Sequence, residues 1–126
     1  MKLSRLIDPR FKDVIRRLQI ERIPLKGAYK LKSIVKVIDD ELTKYEDLRK
    51  DALDKLGLKD LTGAYIVDER GNVQFNEENG KEFAAELQDL ANLDVTIPKL
   101  SIADLGDKMS LSVEDLFFIE ELFEEF

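Results

Sequence analysis

The chain contains no cysteine, no histidine and no tryptophan. Without cysteine there is no disulfide framework and no thiol nucleophile. Without histidine there is no Ser-His-Asp or Cys-His system, no imidazole ligand for zinc, and no side chain whose ordinary pKa lies near neutrality. The six glycines, at 27, 57, 63, 71, 80 and 106, are dispersed, so no Gly-x-x-x-x-Gly-Lys-Ser/Thr loop cradles a phosphate. Apolar runs are short. Leu116-Phe117-Phe118-Ile119 falls far below the ~20 residues that cross a bilayer. The first residues reach charge at Lys2, Arg5 and Asp8 before any apolar core of signal-peptide length. These features lead to an expectation of a cytoplasmic protein with no membrane, metal or cofactor.

What is abundant is charge. Of 126 residues, 37% are Asp, Glu, Lys or Arg, against an average near 25%. The net charge is −7, and it is unevenly spread. Residues 1–36 carry eleven Lys/Arg and three Asp/Glu; residues 37–126 carry nine and twenty-four. Such polarity suits pairing of the two ends within or between chains ahead of nucleic-acid binding.

Periodicity predicts mostly helix. Asp8-Pro9 provides an N-cap and a proline at the first helical position, and Phe11, Val14, Ile15 and Leu18 form an apolar stripe. A helix over 9–21 follows. From Ala28 to Leu56 there is neither proline nor glycine, and Leu31, Ile34, Val35, Ile38, Leu42, Tyr45, Leu48, Ala52 and Leu56 keep helical spacing. Asn76 caps a helix over 77–93, and Ser112 caps a last one. Residues 64–67 and 73–75 are β-branched or aromatic around Asp68-Glu69-Arg70-Gly71-Asn72, which predicts a hairpin over 64–75. An isolated hairpin is marginal in water, so Asp94-Val95-Thr96-Ile97 is expected as its third strand. The fold class expected is α+β, predominantly helical, with a long central helix at 28–56, flanking helices, and a small antiparallel sheet from 64–75 and 94–97.

Candidate chemistry is sparse. Asp68–Asn72 lacks the Asp-x-Asp/Asn-x-Asp/Asn-Gly spacing of a calcium loop and is better explained as a turn. With 27 carboxylates, no acid/base pair stands out, and an enzyme is not expected. The last helix is the most informative element. Leu116, Phe117, Phe118, Ile119, Leu122, Phe123 and Phe126 make an apolar surface wider than one core-facing stripe, because neighbours lie ~100° apart. Acids, Glu120 among them, are interspersed without a basic residue. Either the core takes these aromatics, or Leu116, Phe117, Ile119, Glu120, Leu122, Phe123 and Phe126 bind a partner, a groove or a second copy. Arg10, Arg16, Arg17, Lys26 and Lys30 are the candidate electrostatic contacts.

Leu25-Lys26-Gly27-Ala28-Tyr29-Lys30-Leu31, Ile38-Asp39-Asp40-Glu41-Leu42, and Tyr45-Glu46-Asp47-Leu48-Arg49 follow one another before Leu56-Gly57. Then come Asp94-Val95-Thr96-Ile97, Leu100–Leu105 and Leu111-Ser112-Val113-Glu114-Asp115-Leu116. Over residues 24–123 this order resembles small acidic proteins of unknown function from tailed bacteriophages. The resemblance implies a phage context and carries over no catalytic residue. It divides a single domain, 1–126, into a basic N-terminal helical extension at 1–23 and a main body at 24–126. The expected function is non-enzymatic protein–protein interaction, as a phage assembly factor or minor virion component, with a phage structural protein or itself as partner. Its expected place is the host cytoplasm or the virion. The alternatives are inhibition of a host or defence protein through the acidic surface, and nucleic-acid binding through the basic segment.

Overall fold

The computed structural model describes residues 1–106 and 111–124. Among the described residues are five α-helices: α1 (Leu3–Leu6), α2 (Pro9–Ile20), α3 (Leu25–Leu56), α4 (Glu77–Ala91) and α5 (Val113–Ile119). Two 3₁₀ turns, Ile102–Leu105 and Glu120–Leu122, flank α5 in sequence. The starts follow local chemistry. The Asp8 side chain accepts from the Arg10 N–H, Asn76 from the Asn79 N–H, and Ser112 from the Asp115 N–H, each satisfying a donor that the first helical turn leaves unpaired.

The chain divides into two compact units, Met1–Leu42 with Leu93–Phe126, and Thr43–Asn92; α3 contributes its residues up to Leu42 to the first and the rest to the second. In the first unit the whole apolar stripe of α2, Phe11, Val14, Ile15 and Leu18, is buried. α2 packs against α1 and α5, and Leu3 and Leu6 of α1, Leu31, Ile34 and Ile38 of α3, and Phe118 and Ile119 of α5 are buried in the same unit. Each fully buried side chain of this size contributes roughly 1.5–3 kcal/mol. Residues 1–23, set apart by sequence as an extension, thus supply six of this unit's buried side chains: Leu3, Leu6, Phe11, Val14, Ile15 and Leu18. Backbone pairing closes the unit. Val95 N–H donates to the Met1 carbonyl at 2.7 Å, Leu100 N–H to the Leu122 carbonyl at 2.7 Å, and Glu124 N–H to the Leu100 carbonyl at 2.9 Å.

Gly27 is fixed by close approach. A Cβ there would stand 1.8 Å from the carbonyl oxygen of Asp104, so only glycine lets the first turn of α3 touch the 3₁₀ turn at Ile102–Leu105. In that turn the Ser101 N–H donates to the Asp104 carboxylate at 2.8 Å. Asp107 lies outside the described residues.

The second unit comprises the C-terminal half of α3, two tight reversals and α4. The small sheet expected here does not form among the described residues. The segments make isolated bridges, Lys59 with Tyr65 and Val67 with Val73. The chain reverses at Gly63 (φ +84°) and again at Gly71 (φ +81°), leaving each arm too short for a ladder. The expected turn at Asp68–Asn72 is present, closed by Asp68 N–H to the Asn72 carbonyl at 2.9 Å. The expected third strand is not there: residues 94–97 belong to the first unit, where Asp94 bridges Lys2 and where Met1 and Leu3 offer Val95 and Leu93 their backbone partners. The class is therefore helical rather than α+β.

Candidate functional site

The C-terminal candidates divide by burial. Ile119, Leu122 and Phe123 are at most 4% exposed and belong to the core of the first unit. Leu116 is half-buried, and Glu120 is exposed. Phe117 is 59% exposed, yet it is not alone: its ring meets Phe118 edge-on at 5.6 Å, and the Arg5 guanidinium lies 5.4 Å from its centroid. Phe126 lies outside the described residues. The helix is too short, at seven residues, to carry both a core face and a wide docking face.

The basic candidates also divide. Arg17 forms a two-pronged ion pair with Asp115, one prong at 3.1 Å, and this guanidinium holds the Asp115 carboxyl below its ordinary range. Lys30 pairs with the buried Asp104 at 2.9 Å. The Ser101 N–H and the Lys30 ammonium together lower the Asp104 carboxyl to about 2. Arg10 pairs with Asp8 at 3.1 Å and lies 4.7 Å above the Phe118 ring. These three cations orient the packing of α2 and α3 against the C-terminal segment. Arg16 and Lys26 are exposed and make no ion pair among the described residues.

Arg16 belongs to a surface that sequence reasoning did not single out. Between α2 and α3 lie cavities of about 400 and 150 Å³, and one of about 460 Å³ lies along α3 alone; Val35 lines all three. Their apolar lining includes Leu18, Ile23, Ala28 and Leu31. Lys12, Arg16, Arg22, Lys32 and Lys36 stand along them, and none has an ion-pair partner among the described residues. Glu21, Asp39 and Asp40 interrupt this basic rim. The signal in sequence was the clustering of Lys and Arg in 1–36; which of them find partners depends on the tertiary structure.

The second unit offers a different surface. None of residues 43–92 is buried. Along α3, Tyr45 and Ala52 are half-buried and Leu48 is 49% exposed. On α4, Phe83, Leu87 and Leu90 are half-buried, with Phe83 stacked on Phe75 at 4.8 Å. Among the described residues no cluster of three carboxylates could hold a metal ion, and no helix is long and apolar enough to cross a membrane. Comparison with protein-family models, with curated proteins and with solved structures finds no match.

Proposed function

We propose that this chain is a non-enzymatic protein-binding protein, serving a tailed phage as an assembly factor or minor virion component in the host cytoplasm or the virion. One observation carries the protein-binding reading. The unit Thr43–Asn92 keeps helically spaced apolar rows on α3 and α4 yet buries no residue. A unit that leaves such rows half-open gains stability when another protein covers them. The phage context rests on the resemblance over residues 24–123. Inhibition of a defence protein and nucleic-acid binding rank lower. The acids Glu21, Asp39 and Asp40 among the cavity-lining cations repel a phosphate backbone.

The test is a crosslinked pull-down with the full tagged chain from phage-producing cells, beside Leu48→Asp. Leu48 is 49% exposed, so this change leaves the fold intact, which circular dichroism checks. A phage structural protein captured by the native chain and lost with the variant is the expected result. A host nuclease or defence protein in its place would shift the function to inhibition, and capture of no protein would overturn the reading.

A further inference from the structure

Two incomplete surfaces of opposite charge stand on this one chain. The first is the groove between α2 and α3, where half-buried Val35 adjoins the buried Leu18 and Leu31, and where Lys12, Arg16, Arg22 and Lys32 stand without ion-pair partners among the described residues. It follows α3 from Ala28 to Asp39, about 17 Å at 1.5 Å per residue. The second is α4, 15 residues long, with Phe83, Leu87 and Leu90 on a half-covered stripe. Glu78, Glu82, Glu86 and Asp89 of α4 likewise make no ion pair among the described residues, and Lys81 is its one basic residue, paired with Glu77 at 3.5 Å. An acidic amphipathic helix of about 22 Å therefore matches a basic-rimmed apolar groove of similar length.

We infer that α4 of one copy docks in the α2–α3 groove of a second copy, joining chains head to tail. This rests on the protein-binding reading and deepens it by naming the partner. The two surfaces differ, so the contact is heterologous. Repeated, it closes into a ring or extends as a filament, whereas a two-fold dimer would bury one patch against itself. Apolar contacts of Leu87 and Leu90 with the Val35 region supply affinity, and the charges set the direction of α4 and the rate of encounter. Glu21 and Asp39 in the groove disfavour a nucleic acid as occupant, and they leave the Arg22–Lys32 stretch as the place where the acids of α4 meet unpaired cations.

Sedimentation velocity on the purified full chain tests this. The native chain is expected to form oligomers that grow with concentration and fall apart in high salt. Arg22→Glu with Lys32→Glu blocks the groove; Leu87→Asp blocks the helix; Glu82→Ala with Glu86→Ala weakens the helix without touching its apolar side. Each should weaken association by about tenfold or more, the scale of losing an anchor residue or a buried charge contact. Mixing the groove variant with Leu87→Asp should give a one-to-one dimer and nothing larger, since each supplies the surface the other lacks. If Leu87→Asp fails to fold, the alanine pair takes its place in the mixture. A chain that stays monomeric at every concentration overturns the inference while leaving capture of another protein intact. A dimer that survives all three variants overturns it too, as does a monomer that binds a DNA duplex through Arg22 and Lys32.

Discussion

The two units use the same alphabet of Leu, Lys and Glu to opposite ends. Met1–Leu42 with Leu93–Phe126 buries Leu6, Phe11, Leu18, Ile34, Leu100, Ile119 and Leu122 almost completely. Thr43–Asn92 buries nothing to that degree. Their polar contacts differ in the same way. In the first unit Arg17 reaches Asp115, 98 residues away, and Lys30 reaches Asp104, 74 residues away. In the second, Arg49 pairs with Glu46 three residues back, and Asp60 and Asp68 cap their own turns. A unit built on distant contacts is a cooperative core, whereas one built on local contacts has geometry without much cover. The lesson is that similar composition does not mean similar stability, and that the uncovered unit is the one with surface to offer.

The comparison breaks or sharpens most strongly under core truncation. Ile34→Ala should cost about 4 kcal/mol in urea unfolding, because a fully buried side chain leaves a cavity, whereas Leu87→Ala should cost about 1 kcal/mol or less. Equal losses would dissolve the distinction. Next comes Gly27→Ala, which should destabilise the first unit by about 3 kcal/mol, since the new methyl meets backbone rather than a side chain that can swing away.

The acid limb gives a smaller effect. Asp104 is lowered to about 2 from an ordinary 3.8, and Asp115 is lowered as well. A carboxylate depressed in the folded state stabilises fully above its unfolded value and loses that contribution as pH falls through its folded one. Stability of the first unit should therefore fall between about pH 4 and pH 2. Asp104→Asn should lower stability at neutral pH and flatten this part of the curve, as followed by thermal melts across pH.

Much of the helical framework was legible. Asp8-Pro9, Asn76 and Ser112 mark starts that the structure keeps, and α3 begins only three residues before the expected Ala28, since Pro24 permits a first turn at Leu25. The sheet was misjudged because β-branched residues at 64–67 and 94–97 signal extended backbone without saying what pairs with it; backbone from Met1 and Leu3 took up Leu93 and Val95. At the candidate surfaces the sequence located the aromatics of the last helix but not their burial. Phe118, Phe123 and Phe117 are equivalent by composition, and burial, Phe118 on an α5 packed against α2 and Phe123 bridged to Leu100, separates the first two from the third. The groove between α2 and α3 was hidden for a related reason: nothing local distinguishes Arg17, which meets Asp115, from Arg16 beside it, which meets no ion-pair partner among the described residues.

The most direct test of the central claim is hydrogen exchange of backbone amides on the full chain, followed by mass spectrometry at low and high protein concentration. Peptides from 43–92, α4 above all, should exchange quickly when dilute and gain protection as concentration rises, while α2 and the buried turns of α3 stay protected throughout. Protection in 43–92 that equals the core of the first unit at every concentration would contradict the account, because that unit would then need no partner to complete it.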